Sequence, residues 1–170
     1  MGQFTDLQAA DGQAIPAYVA QPKGTAKGGI VVIQEIFGVN AHIRAVADGY
    51  AEQGYLAVAP AIFHRVKPNV ELGYEADDMA AGMALKTATE ALPSPGAMQD
   101  IQAAIRHASQ AGKVGIVGYC YGGLLTWRAA SSAVAAPMPR LPPVTNRTSS
   151  TLAPYCRAAR VAVIRSKEVD

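Results

Sequence analysis

Long hydrophobic runs are missing from this sequence. Nothing in it approaches the ~18 consecutive apolar residues of a membrane span, so no membrane partner is expected. Cysteine is scarce: Cys120 and Cys156 are the only two in 170 residues, and one possible pair is not a disulfide framework. The start lacks the charged-then-apolar pattern of a signal segment, so a soluble, cytoplasmic protein is expected. Aromatics make up 6%, a composition that suits helices packed closely on a sheet better than a ligand-stacking surface. The formal charge of +2 gives no footprint for nucleic acid, because acidic residues outnumber basic ones over residues 1–135 and the whole positive excess falls in residues 136–170. There Arg140, Arg147, Arg157, Arg160 and Arg165 are too dispersed for a basic block. No metal-ligand cluster and no internal repeat is visible.

What is present is half hydrophobic and long enough for one substantial core. Residues 14–20 alternate loosely and predict an early strand, demoted toward a sheet edge by Pro16. Ile30-Val31-Val32-Ile33 is a short continuous apolar run, the pattern of a strand covered on both faces, and residues 55–59 and 114–117 repeat it. Between these runs lie helical stretches. Residues 41–53 have Asn40 as N-cap, apolar Ile43, Val46, Ala47 and Tyr50 at helical spacing, and Gly54 just past the end. A second helix is predicted over residues 77–89, with Met79 and Met83 facing the core. A third is predicted from Ser94-Pro95, as cap and first helical residue, to a stop at Gly112. Alternation of strand and helix implies an α/β fold with a mostly parallel sheet and helices on both faces. Functional groups in such folds gather beyond the carboxyl ends of the strands.

One such end is written Gly118-x-Cys120-x-Gly122-Gly123, between the apolar strand at 114–117 and a helical stretch. This is the Gly-x-Ser-x-Gly elbow with cysteine for serine. The nucleophile of such a turn sits in a strained backbone conformation, and the positions two before and two after it must lack side chains to let strand and helix approach. The sulfur then faces the first turn of the helix, whose free N–H groups and dipole favour negative charge. The Tyr121 N–H is a candidate oxyanion-hole donor. The competing reading makes Cys120 a small buried hydrophobe.

At the end of the first apolar strand stands Glu35, an unusual place for a carboxylate. At the border of a dry cleft it is able to exchange a proton with the thiol, and the Ile36 N–H supplies the second oxyanion donor. The competing reading is a surface acid capping the next helix. Arg65, in Phe63-His64-Arg65 after the strand ending at Pro60, is a candidate to meet a substrate carboxylate, or else an ordinary solvated loop charge. His42 and His107 are read as helix-surface residues.

Taken together, Ile33-Gln34-Glu35-Ile36-Phe37-Gly38-Val39-Asn40, Gly54-Tyr55 with Ala59-Pro60, and Gly118-Tyr119-Cys120-Tyr121-Gly122-Gly123 closely resemble the dienelactone hydrolases, also called carboxymethylenebutenolidases. The resemblance covers about residues 10–130. It implies an α/β-hydrolase-type fold and a cofactor-free enzyme that opens a lactone or small ester by thiolate attack, through an acyl-enzyme that water hydrolyses. Cys120 corresponds to the family's nucleophile and Glu35 to the acid that helps activate it. A later Asp and His complete the family's triad, and arginines bind the substrate's carboxylate.

The sequence departs from that plan after the nucleophile. His42, His64 and His107 all precede Cys120, whereas the α/β-hydrolase order is nucleophile, acid, histidine. All 16 glycines lie at or before Gly123, and Pro137, Pro139, Pro142, Pro143 and Pro154 crowd the end. Residues 1–135 are therefore read as an incomplete α/β-hydrolase core and residues 136–170 as an atypical tail; the text from about Ser131 onward is expected to be a frameshifted or otherwise aberrant ending, or else the tail of a true, shortened family member with a new role. Within it, residues 161–165 alone have strand character, suited to cover the edge of the strand at 114–117. Slow acylation with little deacylation is expected. The alternatives are a non-catalytic remnant that binds a small acid or a partner through the old cleft, and, more weakly, a redox-sensing thiol at Cys120.

Overall fold

A computed structural model describes residues 1–132 and, for the backbone, 159–164. The proposed boundary after Ala135, the rest of the tail and Cys156 lie outside the described residues. Six strands form one sheet in the order β1-β2-β4-β3-β5-β6: β1 Gln3–Gln8, β2 Ala14–Ala20, β3 Gly29–Ile33, β4 Leu56–Pro60, β5 Val114–Tyr119 and β6 Ala159–Ile164. The central β4, β3 and β5 run parallel, and β1, β2 and β6 make antiparallel pairs around them. Four helices join in: α1 Ala41–Glu52, α2 Ala76–Glu90, α3 Met98–Ala108 and α4 Tyr121–Ser132.

The continuous apolar strands follow from being covered twice. Successive side chains of β3 point to opposite faces: Ile30 and Val32 pack with Ile43, Ala47 and Tyr50 of α1, while Val31 and Ile33 pack with Ile101, Ala104 and Ala108 of α3 and Leu125 of α4. From β3 the chain crosses by way of α1 to β4 on one side, and from β4 by way of α3 to β5 on the other side of β3. Right-handed crossovers in opposite directions put the two helices on opposite faces, and loops leaving the sheet at such a reversal bound a crevice. The loops after β3 and β5 are those loops.

Three expectations need correction. Pro16 does not place β2 at the edge, because β1 pairs along its far side, with Asp6 opposite Pro16. The Pro16 carbonyl accepts from the Ala61 N–H at 2.9 Å, so the side on which proline lacks a donor faces the end of the β4 ladder, where a missing bond disturbs little. Helix α3 starts at Met98 rather than Ser94, because Gly96 adopts a left-handed φ of +52° that no helix accommodates. On α2 the buried side runs through Gly82 and Thr89 with Met79 partly buried against the core, and Met83, one position round from Gly82, is 49% exposed. The N-cap of α1 is as expected, with the Asn40 side chain accepting from the Ile43 N–H at 3.2 Å. On β5, β3 lies along one side and β6 along the other, antiparallel, over Val114 to Tyr119.

Candidate active site

Cys120 directly follows β5 and has φ +51°, one of two non-glycine residues with positive φ among the described residues. Left-handed geometry is costly for a residue with a Cβ and persists only when its surroundings enforce it. Here the enforcement is visible. A Cβ on Gly118 would run into the backbone of Gly122 and the hydroxyl of Thr126, and one on Gly122 into the carbonyls of Ile33 and Gln34. Strand β5, helix α4 and the end of β3 thus meet at contacts that only glycine permits, and the turn between them has no gentler path. The thiol is exposed, which is not the environment of a buried packing residue.

Strands β3 and β5 are parallel neighbours with Ile33 opposite Gly118. Glu35 and Cys120, each two residues further on, therefore leave adjacent strands at the same level. Glu35 is 1% exposed and does not cap α1, whose first turn holds no acid. Its Oε2 accepts from the Tyr74 hydroxyl at 3.0 Å. Gln34, fully buried, braces the same loop: its Nε2 donates to the Glu35 carbonyl at 3.2 Å and its Oε1 accepts from the Ile62 N–H at 3.1 Å. The loops after β3 and β4 are tied together by this one amide.

Ile36 and Tyr121, the two residues singled out from sequence for their N–H groups, are both held by neighbours. Gly82 lets α2 come so close to the loop that a Cβ there would meet the Ile36 carbonyl at 2.5 Å. Tyr121 opens α4 with its ring stacked on Phe63, centroids 6.2 Å apart, and with Lys86 Nζ 5.4 Å from the ring centroid on α2. Burial, with Glu90 nearby, pushes the Tyr121 phenol up to about 12, so it stays a neutral anchor. Tyr119 is likewise raised, by burial first and then by Tyr50 and Glu35. The His42 ring meets Tyr119 edge-on at 6.4 Å, so this histidine is half-buried beside the elbow rather than on an open helix surface.

Arg65 is placed elsewhere in chemical terms. Its Nε and Nη2 bond the buried Asp100 carboxylate at 2.6–2.9 Å, and its Nη1 meets Asp11 at 2.7 Å and Gln13 at 2.7 Å. The fork is committed to protein carboxylates and is neither a solvated loop charge nor presented to a ligand. The signal for Tyr74 and Gln34 was absent from local sequence, since Glu35 lies 39 residues from Tyr74 and Ile62 lies 28 residues from Gln34. No group of His, Cys, Asp and Glu suited to hold a metal ion occurs among the described residues, and none of their helices is long and apolar enough to cross a membrane.

An exposed thiol on a strained elbow and a buried acid level with it on the neighbouring strand are groups suited to acyl transfer. Comparison with known proteins agrees with that geometry. The family model for the dienelactone hydrolase family matches residues 15–156. A putative carboxymethylenebutenolidase of Synechocystis is 40% identical over 123 residues, 69% of this chain and 49% of that protein. A carboxymethylenebutenolidase of Pseudomonas putida is 37% identical over 129 residues, 74% of this chain and 54% of that one. The crystal structure of a putative dienelactone hydrolase from Klebsiella pneumoniae superposes with a TM-score of 0.58 at 32% identity, covering 77% of this chain and 54% of that one. The chain thus spans about half the length of the relatives it matches, and it belongs to the dienelactone hydrolase family.

Proposed function

We propose that the protein is a cofactor-independent hydrolase acting on a lactone or small ester, with Cys120 as nucleophile and Glu35 as its proton partner. The reading rests on one observation above others: Cys120 is exposed at φ +51° directly after β5, a costly conformation that a packing cysteine has no use for. The Cys120 proton passes to Glu35, and Sγ attacks the acyl carbon. The carbonyl oxygen takes the negative charge and is met by the N–H groups of Ile36 and Tyr121. Collapse of this intermediate breaks the acyl C–O bond, and the departing alkoxide takes the proton from Glu35. A thioester on Cys120 remains, and water must hydrolyse it to free the thiol and release the acid.

With an activated aryl ester the departing phenoxide is a far better leaving group than an alkoxide, so acylation of Cys120 outpaces hydrolysis of the thioester. We place the enzyme in the cytoplasm, where a free thiol stays reduced. Mixing the purified chain with an activated aryl ester tests the proposal: one equivalent of phenol is released in a burst, followed by slow turnover, and Cys120→Ala shows no burst. Release that does not depend on Cys120 would overturn it in favour of a non-catalytic remnant.

A further inference from the structure

Glu35 lies at the floor of the site, 1% exposed, yet the hydroxyl that reaches its Oε2 belongs to a residue that is 43% exposed. The Tyr74 ring spans the distance between solvent and the buried acid. Its position is set by the loop that carries Glu35. The Leu72 N–H donates to the Phe37 carbonyl at 2.9 Å, Asn40 Nδ2 donates to the Leu72 carbonyl at 3.1 Å, and Gly38 is bridged to Glu71. Arg44 pairs with Glu71 at 2.7 Å. The Tyr74 ring itself packs on Phe37, centroids 4.6 Å apart. Five contacts thus seat one phenol over one carboxylate.

We propose that Tyr74 is a positioning residue that holds Glu35 back from the Cys120 thiol by donating its phenol proton to Oε2, so that the acid takes the thiol proton as that bond loosens. The inference rests on Glu35 being the proton partner proposed above. A hydrogen bond donated to a carboxylate favours its charged form and makes it a poorer base. Transfer of the Sγ proton to Oε2 leaves a thiolate and a neutral carboxyl group, which is itself a donor and has no use for the phenol's proton. The Tyr74 bond therefore stabilises the state before transfer more than the state after it, and it restrains the thiol.

The rate of Cys120 alkylation by iodoacetamide, followed against pH on the Cys120 peptide by mass spectrometry, tests this in the full chain. Tyr74→Phe keeps the ring on Phe37 and removes the donor to Glu35, together with the acceptor of a long 3.5 Å contact from Asn40 Nδ2. Its alkylation at neutral pH is expected to be about ten- to a hundredfold faster, the scale of one hydrogen bond to a charged group, with the pH profile moved to lower pH. Glu35→Gln alone is expected to slow alkylation, and adding Tyr74→Phe to it to change nothing. Tyr74→Leu, which also lacks the donor, must show the same dependence on Glu35. If Glu35→Gln acts but Tyr74→Phe does not, or acts equally without Glu35, the Tyr74 inference fails and the proton-partner reading stands. If Glu35→Gln leaves rate and profile untouched, both fail.

Discussion

Two polar clusters lie beyond the carboxyl ends of the central strands, and they differ in how far they are closed. Around Arg65 the guanidinium bonds to the protein's own groups: Asp100 at 0% exposure, Asp11 and Gln13. The bonds join the β1–β2 turn, the loop after β4 and helix α3. Around Cys120 the acid is equally buried, but the thiol is exposed and the backbone beneath it is strained. A fully bonded buried charge is a structural tie, whereas strain maintained under an exposed thiol fits the nucleophile proposed for Cys120. The two clusters look alike in sequence, each an isolated polar residue after an apolar strand. Only their three-dimensional partners separate them.

If that division is correct, stability and reactivity come apart on mutation. The largest effect on stability is expected from Arg65→Met, which leaves the Asp100 carboxylate buried and unpaired. Denaturant unfolding should show a loss of about 3–5 kcal/mol, with the rate of Cys120 acylation in the folded fraction unchanged. A loss below about 1 kcal/mol would show that the pair is not the tie described. Gly122→Ala reverses the pattern. The added methyl runs into the carbonyls of Ile33 and Gln34, and the expected loss of stability is about 1–3 kcal/mol, the range for overpacking. Acylation of Cys120, however, should fall by at least about tenfold, because the oxyanion donors move with the turn.

The smallest effect concerns pH. Bonds from Arg65 hold the Asp11 carboxyl down at about 2, against an ordinary 3.8. A carboxyl lowered in the fold contributes stability above its ordinary value, and that contribution fades as the pH falls through the folded one. Asp100 works in the opposite sense, because burial outweighs its bonds to Arg65 and raises its affinity for a proton. Its protonation in the fold offsets part of the loss. The melting temperature is accordingly expected to decline between about pH 4 and pH 2, and less steeply in Asp11→Asn. Equal slopes in the two proteins would remove Asp11 from the tie.

The parts of this account that were legible in the sequence are those whose cause is local. An elbow announces itself because its steric demand falls on positions two before and two after the nucleophile. Strands covered on both faces show as apolar runs, and the Asn40 cap sits one residue from the helix it caps. What was not legible depends on distant partners or on polar surfaces. Strand β1 buries only Leu7, so no periodicity marks it. The fate of Arg65 was decided by residues 54 and 35 positions away. Tyr74 sits in a polar loop with nothing nearby to connect it to Glu35. Gly96 broke the start of α3 through a backbone conformation that composition alone does not reveal.

The central claim is that the Cys120 sulfur forms a bond to the acyl group. Its most direct test is mass spectrometry of the chain after brief exposure to an activated aryl ester, with peptide mapping of the product. The account predicts one acyl group per chain, on the peptide containing Cys120, lost on treatment with hydroxylamine and absent from Cys120→Ala. An acyl group on another residue, or none while the ester is consumed, would contradict it.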